Sequence, residues 1–215
     1  MAKGLPGGQM TGIVGNLVFF VKNGKQCSRI HVKSNKSKTT KQHNQRAKFQ
    51  VASRFVSQML DVVKIGWPTE KSQHFNKAVS YHYNHALEST EPGSEMSKEE
   101  FRVNIEKVMM AKGEMPPPVI TSLTRNNYEI EISWQTELLS EDYRASDSIV
   151  LAVWKPGIKA QVFTDLGNRI NGHAKQVLPY EFQGKVHLWV FFKNNVHKSK
   201  KPEKNVSDSV YLGEV

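Results

Sequence analysis

From Gly15 to Val32 the chain reads as two short extended runs around one interruption. Leu17-Val18-Phe19-Phe20-Val21 is apolar, Asn23-Gly24 follows, and beyond it Cys27, Arg29 and His31 alternate with Ser28, Ile30 and Val32. β-Branched and aromatic residues favour extended backbone, and an Asn-Gly pair accepts two successive positive φ angles, as a type I′ turn requires. The pattern predicts a β-hairpin with Phe19 and Phe20 on opposite faces. Two strands alone are marginal in water, so this hairpin must pack on something or pair with another chain.

The period then lengthens. Phe49, Ala52, Val56, Met59, Leu60 and Val63 recur at helical spacing down to Gly66, behind a Thr39–Gln42 capping-box pair. Beyond Pro68-Thr69, a second stripe of Phe75, Ala78, Val79, His82 and Ala86 predicts another helix. A third is predicted from Ser97, with Glu100 at the capping-box position, to Gly113, burying Phe101, Ile105, Val108 and Met109. Three short helices with one apolar face each suggest a small bundle.

Pro116-Pro117-Pro118 ends the helical period, and the alternation after it has a period of two. Tyr128, Ile130, Ile132 and Trp134 alternate with polar residues, and further strands are predicted over 148–154, 158–163, 173–178, 185–192 and 206–212. Turn signals at Lys155-Pro156-Gly157, Asn171-Gly172 and Gln183-Gly184 separate them. Short strands at this spacing are the signature of an antiparallel sandwich of immunoglobulin or fibronectin type III kind. The expected fold class is therefore α+β: an N-terminal β-hairpin and small helical bundle, then an immunoglobulin/fibronectin-like β-sandwich. The expected domains are 1–115 and 119–215, the second folding alone.

Several segments carry a family resemblance: Met1-Ala2-Lys3-Gly4, Gly12-Ile13-Val14-Gly15-Asn16-Leu17-Val18, Thr40-Lys41-Gln42, Arg46-Ala47-Lys48-Phe49, Asn76-Lys77-Ala78-Val79-Ser80-Tyr81 and Ser207-Asp208-Ser209-Val210-Tyr211-Leu212-Gly213. Together they resemble a Bacteroidota family of uncharacterised proteins with a basic N-terminal hairpin and a C-terminal β domain. The resemblance implies that architecture and a bacterial source, and it carries no catalytic or binding residues across.

Charge changes the picture most. The 215 residues carry 30 Lys and Arg against 20 Asp and Glu, a net charge of +10. No acidic residue precedes Asp61, whereas 11 cations do, so the other 155 residues, with 19 cations and 20 acids, are nearly neutral. Such asymmetry suits a polyanion or an acidic partner, and a solubilising polar arm is the plainer reading. The candidate polyanion or partner contacts are Lys33, Lys36, Lys38, Lys41, Arg46 and Lys48, set among Asn, Gln, Ser and Thr that suit phosphate oxygens.

Motifs for catalysis are weak. The early glycines lack the Gly-Lys-Ser/Thr end of a phosphate loop and suit turns. The single cysteine, Cys27, excludes an internal disulfide and a multi-cysteine zinc site, and its mid-strand place fits a structural thiol. His82 and His85 stand one turn apart, with His74 two turns before His82 and Glu88 close by, but helix packing accounts for them without a metal. Glu129 and Glu131 alternate on one strand face, which solvent exposure explains. No apolar run approaches the roughly 20 residues that cross a bilayer, and no apolar leader follows Met1-Ala2-Lys3. The cytoplasm is the default location. No enzyme and no cofactor are expected, and no small-molecule substrate is inferred.

The leading expectation is a non-catalytic structural or assembly protein whose partner is itself or another protein. Its association would run through the hairpin residues Leu17, Phe19, Phe20 and Val21, on faces and edges open to addition. The alternative is sequence-nonspecific binding of nucleic acid through the acid-free first 60 residues.

Overall fold

A computed structural model describes residues 3–4, 8–32, 39–69, 73–89, 97–136, 145–194 and 200–215. The chain divides into two compact units, Met1–Thr39 and Thr40–Val215.

The first unit is a four-stranded antiparallel sheet in the order β1 (Lys3–Gly4), β2 (Met10–Val14), β3 (Leu17–Lys22) and β4 (Lys25–Ile30). The predicted hairpin is β3–β4, and Asn23 and Gly24 take φ of 53° and 75° in its turn. A further strand, β2, precedes it through a two-residue turn in which Gly15 alone has positive φ (57°), the type II′ signature. None of the described residues before Ala52 is buried, so this sheet has no dry core of its own.

The second unit opens with α1 (Thr40–Gln58), α2 (Leu60–Gly66) and α3 (His74–His85). The first predicted helix is interrupted at Met59, whose N–H bonds to the Val56 carbonyl in a tighter turn. The third predicted helix is absent. The Ser97–Glu100 capping box forms, but it opens only a 3₁₀ turn, because Phe101 to Val103 become strand β6 (Phe101–Val103), paired with β5 (Leu87–Ser89). From Val108 the chain runs as an irregular strap held by backbone bonds, such as Lys112 N–H to the Gly66 carbonyl (2.9 Å), and by side chains: Met110 N–H donates to Ser209 Oγ (2.8 Å) and Gly113 N–H to Asp208 Oδ1 (2.9 Å). A Cβ on Gly113 would overlap the Val206 carbonyl, so only glycine lets the strap pass there.

The remaining strands are β7 (Ile120–Asn126), β8 (Glu129–Trp134), β9 (Ser148–Trp154), β10 (Gln161–Phe163), β11 (His173–Val177), β12 (His187–Lys193) and β13 (Val210–Glu214). They form two antiparallel sheets, ordered β10-β9-β12-β13 and β11-β8-β7. Ile130, Ile132 and Trp134 of the second sheet share one buried cluster with Ile149, Leu151, Leu188, Val190 and Phe192 of the first. Val150, Ala152, Trp154, Trp189 and Phe191 alternate with those residues and pack on α1, α2 and α3. All seven residues of β9 are buried, as expected of a strand covered on both sides. The fold is thus α+β, an N-terminal sheet, three helices and C-terminal antiparallel sheets. The helices share a core with the strands, and the boundary between units falls at Thr39/Thr40 rather than at the proline run.

Candidate interaction surfaces

Opposed residues of an antiparallel ladder point to the same side, so register assigns the two faces of the first unit. Val14, Leu17 and Ile30 form one cross-strand row, Gly12, Phe19 and Ser28 the next, and Val21 with Gln26 a third. Met10 joins them by alternation. This face carries no charged side chain among the described residues, yet Met10, Val14, Leu17 and Ile30 are exposed by 41%, 48%, 41% and 65%. Gln26 ties its corner, accepting from the Met10 N–H (2.7 Å) and donating to the Met10 carbonyl (3.0 Å).

The opposite face is different. Its rows are Ile13–Val18–Arg29, Phe20–Cys27 and Lys22–Lys25. Lys22, Lys25 and Arg29 are exposed around a half-buried Phe20. The lysines oppose each other directly, a pairing that costs stability unless an anion lies between them.

The assembly residues expected from sequence are therefore split. Leu17, Phe19 and Val21 share the charge-free face, and Phe20 belongs to the basic one. Of the candidate polyanion contacts, Lys33, Lys36 and Lys38 lie outside the described residues. Lys41, Arg46 and Lys48 lie on α1 and do not converge. Lys41 and Lys48 border one open groove of about 470 Å³ with Tyr83 and Phe101, while Arg46 is not among its lining residues. Lys48 Nζ stands 4.6 Å above the centre of the Tyr83 ring. The sequence reading missed Tyr83, and it missed Lys22, Lys25 and Arg29 as a cluster. The Asn-Gly turn was the signal that could have found that cluster, because it fixes the register that gathers them.

His82, Glu88, Glu129 and Glu131 have structural partners. His82 is buried, with Nδ1 2.7 Å from the Ala78 carbonyl, among the rings of Phe55, Trp67 and Tyr81. Burial holds its imidazole below the ordinary range. Glu88 accepts from Lys107 (2.7 Å) and Asn104 (2.8 Å), and these bonds hold its carboxyl below the usual range. Glu129 and Glu131 flank Lys175 at 3.6 and 3.2 Å. Among the described residues no three His, Cys, Asp or Glu side chains are grouped to hold a metal ion.

The model of a family of unknown function, DUF6266, matches residues 9–213. No curated protein and no solved structure matches the chain.

Proposed function

The chain belongs to the DUF6266 family of unknown function, and from that premise we propose a non-catalytic assembly protein that self-associates through its N-terminal sheet. The observation that carries this reading is the charge-free face, on which Val14, Leu17 and Ile30 are exposed and Phe19 and Val21 half-buried, in a unit with no buried residue among those described. Such a face is stabilised by removal from water, and every copy of the chain brings a matching one. The C-terminal sheets are read as an immunoglobulin or fibronectin type III sandwich. Support comes from their three-plus-four strand order and shared core. The Bacteroidota source implied by the family resemblance belongs to the same reading. Light scattering of the full chain tests the assembly claim. Wild type should exceed the monomer mass of 24.4 kDa, and Leu17→Asp/Phe19→Asp should return it to monomer. A monomeric wild type, or a double variant of unchanged mass, would overturn it.

A second reading, sequence-nonspecific nucleic-acid binding, is favoured by one observation. No acid occurs before Asp61, so the cations of that stretch have no local counter-charge in sequence.

A further inference from the structure

Resting on that second reading, we infer that the basic face of the N-terminal sheet binds a single nucleic-acid strand, with phosphates on Lys22, Lys25 and Arg29 and a base on Phe20. The four side chains come from neighbouring strands and share a face by register, Lys22 against Lys25, Phe20 against Cys27 and Val18 against Arg29. Lys25 and Arg29 lie four residues apart on β4, about 13 Å along the strand, so the cations border the aromatic centre on more than one side. All three cations are exposed, and among the described residues none has an ion-pair partner.

The aromatic centre decides between kinds of polyanion. A duplex offers phosphates to the rim and leaves Phe20, Val18 and the exposed Ile13 facing its backbone. An unpaired base covers them, because every base has a π-face that stacks on an aromatic ring whatever its identity. A sheet face with an aromatic middle and a basic rim therefore suits a single strand and reads no sequence. The charge-free face on the other side stays available to a second copy, so the two surfaces are separable by substitution.

Fluorescence anisotropy of the full chain with a fluorescein-labelled oligo(dT) 20-mer tests this, alongside a duplex of equal length and anionic phosphatidylserine vesicles. We expect the single strand to bind most tightly. Lys22→Gln/Lys25→Gln/Arg29→Gln should weaken it at least about tenfold and make the log–log salt slope shallower by roughly 2, at about 0.7 per phosphate contact. Phe20→Leu should weaken it roughly tenfold with the slope unchanged. The mass by light scattering should be the same in wild type and both variants, which also shows that they remain folded and assembled. Full affinity in the triple variant would overturn the placement while leaving nucleic-acid binding to other cations, such as Lys41 and Lys48. Tighter binding of duplex or vesicles would overturn the choice of ligand. No binding of any probe would overturn this inference and the second reading together, without touching self-association.

Discussion

Arg169 and Asp147 form an ion pair at 3.3 Å inside the second unit, with side-chain exposures of 2% and 0%. The guanidinium also lies 3.7 Å from the centre of the Phe192 ring and donates to the Pro116 carbonyl at 3.1 Å. It thereby fastens the strap at the proline run to the space between the two sheets. Removing one partner leaves a buried charge without its complement, which costs about 3–5 kcal/mol. Asp147→Ala should therefore lower the melting temperature on the order of 10 °C. A thermal melt followed by circular dichroism checks this, and a shift of only a degree or two would show that the pair is dispensable.

Acid should destabilise the helical layer through His82. Its ring neighbours are Phe55, Trp67 and Tyr81, none of them an anion that could stabilise an imidazolium. Burial lowers its pKa from 6.5 in the folded state, so the unfolded chain binds the proton more readily. The contribution is complete above about pH 6.5 and is lost as the pH falls from there toward the depressed folded value. His187 is also held low by burial, partly offset by Glu214, and adds in the same direction. The lowered carboxyls of Asp61, Glu88 and Glu203 act in a more acidic window, below their ordinary 3.8 to 4.5. Urea midpoints should therefore fall between pH 7 and pH 5, and less steeply in His82→Gln. Parallel profiles for the two proteins would contradict this assignment.

Residues 40–215 should fold as a unit, and residues 119–215 should not. The helices cover Val150, Ala152, Trp154, Trp189 and Phe191, and the Trp189 indole N–H donates to the Val108 carbonyl at 3.1 Å. A fragment lacking the helices presents that whole face to water. Near-ultraviolet circular dichroism and a melt of each fragment decide the matter. A sharp cooperative transition in 119–215 would restore the two-domain division at the prolines.

Much of this architecture was legible in the chain, and the losses have physical causes. Asn23-Gly24 gave the β3–β4 turn outright because few residues tolerate two positive φ angles. The stripe Ala52, Val56, Met59 and Val63 gave the helical layer, although nothing in it marked the break at Met59. The Ser97–Glu100 box was misleading: a cap satisfies the first turn whether or not a helix continues, and pairing of β6 with β5 ended it. Strand β7 was missed because a register shift between Ile120 and Ser122 disrupts the alternation with which it would otherwise read. The interaction surfaces were half visible. Composition located the positive charge, but only register separates Phe19 from Phe20 and brings Lys22 beside Lys25.

The most direct measurement of the assembly claim compares two neighbouring positions of β4 in the full chain. Ser28 opposes Phe19 on the charge-free face, and Cys27 opposes Phe20 on the basic face. Maleimide labelling rates are measured for native Cys27, and for a thiol at position 28 in Cys27→Ser/Ser28→Cys, across a range of protein concentrations. Self-association through the charge-free face should slow labelling at position 28 as concentration rises and leave position 27 unchanged. Equal rates at every concentration, or slowing at position 27 alone, would contradict it.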